Sequence, residues 1–584
     1  MVGTEPVIAR APAEGRSHMA HVVIGQIRYA NRQFWRSPLT AFFTLVLPLL
    51  FLVLVGLAAG NATLPGGVRV AQFYTPGLLA FAIATATFTT PAIAVSLARD
   101  AGVLKRLRAT PLPAWAYLAG RMGSALFTAL LSAAVMLVVA VVGFDVQLYW
   151  STAPGAVLTL VVGIVTFGAL AFALVALVDS TTQVQAIANG AVIALAFVSD
   201  VFIVSDTMPA WLQTFGGLFP LKHFAAALQD AFIPFASDAS LWEHIAVMAA
   251  WATAGAVVAV LRFSWTPARP AATGVSAAVQ TSAGPALDRQ VHVDEPGRPG
   301  LAVLVWGQIR YANRTLWRDV GAVFFAIAFP ILLLWLVPTV FGTGEVPWLD
   351  MTLPQWYAPA MAVYGVAVHA FVTMPEAVAG ARDRGVLKRL RGSALPLRAY
   401  LLGRLLSVLL IAVLIVAATM AAGVLLYDIA APASRIPAAL VVVAVGTLSL
   451  AALGLAIAAV VPTAGAVPAV TLAALLPLSF VSDIFLLGDL PRAMVIVGWL
   501  FPLKHFVHAL TAVFDGATPL GAAVAGHLLV MAGWGIAGAI VGALAFRWEP
   551  RVSRKRQPAA GRGDRGDNAS VPPTGGDADM MRKV

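Results

Sequence analysis

The residues best placed to do chemistry form one charged block that is written twice. Arg99-Asp100-Ala101-Gly102-Val103-Leu104-Lys105-Arg106-Leu107-Arg108 recurs as Arg382-Asp383-Arg384-Gly385-Val386-Leu387-Lys388-Arg389-Leu390-Arg391, and residues 99–121 agree with 382–404 at 16 of 23 positions. The chemistry this pattern supports is electrostatic docking. On a short helix, Leu104 and Leu107, and Leu387 in the second copy, face the protein while Lys105, Arg106, Arg108, Lys388, Arg389 and Arg391 face water or a partner. Gly102 and Gly385 permit a sharp change of direction before that helix. Asp100 and Asp383, next to Arg99 and Arg382, are placed to cap it. A plain positively charged loop would explain the charge, but not the Gly, Val, Leu, Pro and Tyr kept in both copies.

Two further blocks repeat in the same order. Gly25–Arg32 recurs unchanged as Gly307–Arg314. Val23, Ile27, Ala30 and Phe34 share one helical face, and Arg28, Arg32 and Arg36 another; Val305, Ile309, Ala312 and Leu316, with Arg310, Arg314 and Arg318, repeat this. Such a helix lies in a membrane interface with its apolar side in lipid and its arginines toward anionic headgroups. Trp35 and Trp317 suit the headgroup layer. It serves either as an anchor or as a relay of motion. The third block, Leu218–Phe224, recurs as Leu500–Phe506, following Ser199-Asp200 and Ser482-Asp483. Too interrupted to span, it reads as a re-entrant segment. Phe219, Pro220, Leu221, Phe501, Pro502 and Leu503 are expected to gate a cavity lined by spans two and five of each half, with Lys222 and Lys504 reaching headgroups. Three blocks in register make this a tandem duplication.

Composition fixes the solvent in which these blocks work. The chain is 60% hydrophobic and 11% charged, with a mean hydropathy of +0.86, far from a soluble globular composition. Apolar runs of roughly 20 residues, the length needed to cross a bilayer as a helix, recur six times per half. The expected fold is an all-α integral membrane protein with twelve transmembrane helices in two parallel six-helix repeats. Each repeat adds an amphipathic elbow helix, a cytoplasmic coupling helix and an outer re-entrant segment. With the N-terminus cytoplasmic, the outer segments carry only Arg69, Lys222, Arg435, Arg492 and Lys504, five of 38 Lys and Arg. Both termini are therefore expected inside a cell (inner or plasma) membrane. The pI near 10.2 then reflects topology, not nucleic-acid binding. Expected boundaries are a disordered N-terminus (1–18) without a signal peptide, a first six-span domain (19–265) and a cytoplasmic linker (266–300). A second six-span domain (301–548) and a disordered cytoplasmic tail (549–584) follow. There is no cysteine, hence no disulfide or thiolate metal site, and no metal site is expected.

Taken together, the blocks resemble those of ABC transporter permeases of the type-2 export class. That family carries an elbow helix, a coupling helix written much like E-R-E-x-G-T-L-E-x-L-R-x-T-P-L, and an outer element like L-S-G-x-x-x-P followed by P-x-W. Residues 99–112 match the coupling element, with Asp100 in place of glutamate. Val198-Ser199-Asp200, Met208-Pro209-Ala210-Trp211 and Phe219-Pro220-Leu221 match the outer one, with aspartate where glycine is common. The resemblance implies a drug-, antibiotic- or lipid-exporting permease that is not itself an enzyme. A separate ABC ATP-binding subunit, in two copies, would dock beneath the coupling helices and carry the ATP and Mg; this chain itself binds no cofactor. The sequence agrees with that division, because none of its six lysines follows a glycine, as a phosphate-binding loop requires. Expected partners are that subunit, membrane lipid and a hydrophobic or amphipathic small molecule. The alternatives are a proton-coupled transporter of the major-facilitator kind, for which Glu376 and His369 are the mid-membrane candidates, and a membrane scaffold.

Overall fold

The computed structural model describes residues 13–60, 62–64, 67–202, 208–233, 240–263, 300–346, 351–392, 395–485, 490–515 and 521–546. Residues 1–12, nearly all of the linker and the expected disordered tail fall outside these ranges, whereas residues 13–18, expected to be disordered, form the first turns of a helix. The first half runs α1 (Ala13–Trp35), α2 (38–59), α3 (Val70–Asp100), α4 (Val103–Arg108), α5 (Ala114–Phe144), α6 (Ala153–Leu177), α7 (Thr181–Phe197), α8 (Ala210–Gly216), α9 (Pro220–Phe232) and α10 (Leu241–Arg262). The second repeats it as α11 (Leu301–Leu316), α12 (Val320–Phe341), α13 (Leu353–Asp383), α14 (Val386–Arg391), α15 (Leu397–Tyr427), α16 (Ile436–Val460), α17 (Val467–Val481), α18 (Arg492–Leu500), α19 (Pro502–Asp515) and α20 (Ala522–Ala545). A short antiparallel pair, β1 (Glu345–Val346) with β2 (Met351–Thr352), follows α12.

Among the described residues, ten helices are long and apolar enough to cross a membrane, or eleven if the pair α18–α19, bent by 82°, counts as one span. The apolar parts of α2 and α7, Thr44–Ala59 and Gln183–Phe197, are shorter than a full span. They lie at the expected first and fifth spans of the first half. This is the one place where the twelve-span expectation exceeds what length and composition show.

Proline shapes four of these helices in the same way. Wide π-helical turns occupy Phe42–Val46, Thr85–Thr89, Phe324–Ala328 and Val368–Thr373. Each is followed within two residues by a proline: Pro48, Pro91, Pro330 or Pro375. A helical proline lacks its amide and clashes with the carbonyl four residues back, which in every case lies inside the wide turn. Widening that turn relieves the clash, and the residue before the proline bonds five positions back instead, as Leu47 does to Phe42 and Thr90 to Thr85.

Within each half, α6 packs along α10 and α16 along α20, while α1 and α11 lie on α5 and α15. Gly163 and Gly446 leave room for the rings of Phe224 and Phe506, which explains why the third block keeps its final phenylalanine. The halves meet where α2 and α7 of the first face α17 and α12 of the second. Phe51 and Phe480 approach to 5.1 Å between ring centroids, and Phe197 and Phe329 to 6.3 Å. Lipid is as apolar as these side chains, so close packing rather than water exclusion holds such helices together.

The amphipathic helices differ from expectation in one respect. Arg28, Arg32, Arg36, Arg310, Arg314 and Arg318 are exposed, but Ala30, Phe34, Ala312 and Leu316 are buried against protein rather than lipid. Gln26 and Ile27 sit against Gly120 and Gly123 of α5, and Gln308 against Gly403 of α15. The glycines let the two backbones approach closely, so the apolar stripe belongs to a helix–helix contact.

Candidate functional site

A cavity of about 860 Å3 lies between the halves. Tyr74 and Phe81 of α3 and Tyr357, Tyr364 and Glu376 of α13 line it, with Ile193 and Phe197 of α7 and Leu476 and Phe480 of α17. Those helices are the expected second and fifth spans. The first spans also contribute, through Phe51 of α2 and Phe329 of α12. Their part was not read from the sequence, because an all-round apolar helix gives no sign of which side meets a partner. His369 does not line the cavity; it is buried, with neither ring nitrogen hydrogen-bonded. Among the described residues, no group of His, Asp and Glu is arranged to hold a metal.

At one end of the bundle, α3 and α13 run into the two charged blocks. Gly102 (φ 66°) and Gly385 (φ 67°) adopt the left-handed conformation, turning the chain from the long helix into α4 and α14. A side chain there would be strained. Leu104 and Leu387 are fully buried, while Lys105, Arg106, Arg108, Lys388 and Arg389 are exposed. The expected aspartate caps are not made. The glycines occupy the capping position with no side-chain bond, because the left-handed turn carries each aspartate back onto the long helix. Asp383 instead accepts from the Ala464 amide at 2.7 Å and from Arg382 Nε at 3.2 Å, and Asp100 is exposed.

Arg99 and Arg382 stand apart from the rest of the block. Each is only 2% exposed. Arg99 donates to the carbonyls of Val175, Val178 and Asp179 at 2.7, 2.6 and 2.8 Å. Arg382 donates to Ala458, Val461 and Pro462 at 2.8, 3.2 and 3.3 Å. These carbonyls end α6 and α16, where the last helical oxygens lack partners and the helix dipole favours a cation. Ser96 and Thr181 share a 2.6 Å hydrogen bond in the first half. The charged loop is thus tied to the start of α7, which lines the cavity.

At the opposite end, the third block, expected as a gate, lies away from the cavity wall. Leu221 and Leu503 are buried inside their own halves, behind Pro220 and Pro502. Phe219 stacks on Trp251 of α10, and Phe501 on Trp534 of α20. None of these six residues lines the cavity, whose rings include Phe202 and Phe485 instead. The reason is the proline. It begins a new helix, α9 or α19, whose apolar side turns into its own half. Among the described residues, α8 reaches across, placing Trp211 5.8 Å from Trp335 of α12.

The two lysines are not free to reach headgroups. Lys222 donates to the Gln213 carbonyl at 3.2 Å. Lys504 is buried and pairs with Asp483 at 3.0 Å, and His508 pairs with the same carboxylate at 2.9 Å. Burial pushes the Asp483 carboxyl up, but hydrogen bonds and charge from His508 and Lys504 outweigh this and hold it below its usual value. Asp200 and Asp483 both have φ 58°. They fill the left-handed position where glycine is common, a conformation aspartate tolerates better than most residues. The sequence also hid a repeated histidine pair. His223 Nδ1 lies 3.0 Å from His244 Nδ1, and His505 Nδ1 lies 2.8 Å from His527 Nδ1. His223 and His505 were visible inside the block; their partners sit singly on the last spans, where nothing marked them.

The family model described as ABC-2 type transporter matches residues 26–233 and again 301–514. A daunorubicin resistance ABC transporter permease protein, DrrB1 of Streptomyces coeruleorubidus, is 25% identical over 227 residues, covering 38% of this chain and 79% of that protein. The probable multidrug ABC transporter permease YbhR of Escherichia coli K12 is 25% identical over 181 residues, 30% of this chain and 47% of that protein. With its family model matched in both halves and over most of its length, the chain belongs to the ABC-2 type transporters and carries their membrane domain twice.

Proposed function

We propose that this chain is the complete membrane pathway of an ATP-driven exporter, with ATP and Mg held and hydrolysed on a separate ABC ATP-binding subunit. The observation that carries the reading is the linkage just described. Two matching exposed basic loops are each fixed by a buried arginine to the end of the fourth long helix, next to the helix that lines the central cavity. Two copies of the ATPase subunit dock on α4 and α14 through Lys105, Arg106, Arg108, Lys388, Arg389 and Arg391. Closure of that dimer moves the loops, and Arg99 and Arg382 pass the motion to the cavity walls. All twelve helices cross the cell membrane, α2 and α7 included, with both termini cytoplasmic and α1 and α11 lying in the inner interface as elbow helices. The cavity walls suit a hydrophobic or amphipathic cargo, and the relatives' printed drug and daunorubicin resistance roles agree with that.

The test is reconstitution. The chain alone in proteoliposomes is expected to leave ATP intact, and the chain co-purified with its ATPase subunit to hydrolyse ATP and move a fluorescent amphiphile. ATP turnover by the chain alone, or transport driven by a proton gradient without ATP, overturns the proposal.

A further inference from the structure

Among the described residues lining the cavity, Asp319 and Glu376 bear its only carboxyl groups, and no Lys, Arg or His joins them. The chain as a whole is basic, with 38 Lys and Arg against 27 Asp and Glu. A lining whose only ionic groups are acidic therefore runs against its average. Both acids sit at the end nearer the charged loops: Asp319 just before α12, and Glu376 near the end of α13. Both line the same cavity.

Their bonding differs. Asp319 accepts from the Ala322 amide at 3.1 Å. No described residue forms a hydrogen bond or ion pair with Glu376, which is open to the cavity. The duplication gives this pole no mirror image, because Ile93 and Ser37 occupy the matching positions in the first half. Toward the other end the walls become aromatic, with Phe51, Phe81, Phe329, Phe480 and Tyr364. The uncharged polar side chains of Gln185, Asn189 and Thr373 also line the cavity, and an ionisable group without a partner on such a wall inside a membrane marks a place where something charged binds. Aromatic rings accept an apolar body and also attract cations. The cavity volume lies within the roughly 300–1,000 Å3 of small-molecule sites.

We propose that Glu376, supported by Asp319, recognises a cationic centre, so that the cavity takes an amphipathic organic cation with its charge at the loop end and its apolar body among the rings. The proposal rests on reading the cavity as the transport path. It makes Glu376 a specificity-determining residue, present once per chain, that fixes the orientation of the cargo.

The test is equilibrium binding to the purified full chain in detergent, with two fluorescent probes: ethidium, an aromatic cation, and Nile red, a neutral aromatic. Glu376→Gln is expected to weaken ethidium binding about tenfold or more, the scale of one charge-assisted hydrogen bond, and to leave Nile red binding unchanged. Glu376→Asp is expected to keep most of the ethidium affinity. Unchanged ethidium binding in Glu376→Gln overturns the proposal. So does equal loss of both probes, which would make Glu376 a structural residue. The binding assay needs no ATPase subunit, so the two readings fail separately. Ethidium transport that requires ATP but ignores Glu376→Gln removes only the cation site, and ethidium transport driven by protons alone removes the exporter.

Discussion

Arg99 donates from Nη1 to the carbonyl oxygen of Val175 at 2.7 Å, and Arg382 repeats that bond to Ala458 at 2.8 Å. The sequence distance is 76 residues in each half. The same guanidinium therefore closes the same long loop twice. It satisfies oxygens that a helix end leaves open and holds the charged loop against the bundle.

Replacing these arginines should cost stability as well as coupling. Arg99→Met or Arg382→Met leaves buried carbonyls without donors, and each charged hydrogen bond lost is worth roughly 1.5–3 kcal/mol. Thermal unfolding in detergent should show a lower midpoint for both variants, whereas Lys105→Met, on the exposed face, should not shift it. Midpoints equal to wild type in both arginine variants would place the arginines outside the load path.

The exposed side of the loops should behave in the opposite way. Reversing Lys105, Arg106 and Arg108 together with Lys388 and Arg389 to glutamate is expected to weaken capture of the ATPase subunit in a pull-down and leave the thermal midpoint unchanged. Gly102→Val should affect both, since a β-branched residue forced to φ 66° costs on the order of 1–3 kcal/mol. Undiminished capture after charge reversal would return the loops to a purely topological role.

The duplicated blocks made much of this legible. Charge, glycine and leucine spacing located α4 and α14, the left-handed turn and the buried Leu104 and Leu387, because local geometry alone decides them. Roles that depend on distant partners were not legible. Arg99 looks like Arg106 in the sequence; only the end of α6 distinguishes them. Phe219 and Phe480 are both apolar and aromatic, yet one stacks on Trp251 of its own half and the other meets Phe51 edge-to-face across the halves. Asp483 matches Asp200, but His508, with Ala226 at the matching position, gives it a second partner. In a chain this apolar, polarity no longer separates inside from outside, so spacing predicts helices but not which helices meet.

Asp483 gives a pH prediction. Its carboxyl is held below the ordinary aspartate value of about 3.9 by Lys504 and His508. A depressed pKa contributes stability in full above that ordinary value, and the contribution is lost as pH falls through the depressed one. The midpoint gap between wild type and Asp483→Asn should therefore close as pH falls below about 4. A gap that persists undiminished well below that range contradicts this assignment. Lys504→Met should destabilise more than Lys222→Met, because it takes the buried cation from a half-buried carboxylate rather than a donor from a single carbonyl.

Phe51 and Phe480 join the two halves at the cavity wall. Their rings meet at 5.1 Å across the halves and line the chamber, whereas Phe501 stacks on Trp534 of its own half, away from it. A pair of this kind contributes about 0.5–1.5 kcal/mol beyond its buried area, and any opening between the halves must break it. Phe480→Ala is therefore expected to change basal ATP turnover of the assembled complex, and Phe51→Ala to change it in the same direction. The double variant should add little to either single change, since residues in one contact are not additive. Phe501→Ala should lower the thermal midpoint modestly and leave turnover near wild type. If Phe501→Ala alters turnover more than Phe480→Ala does, the outer segment takes part in gating after all, through α20 rather than through the cavity wall.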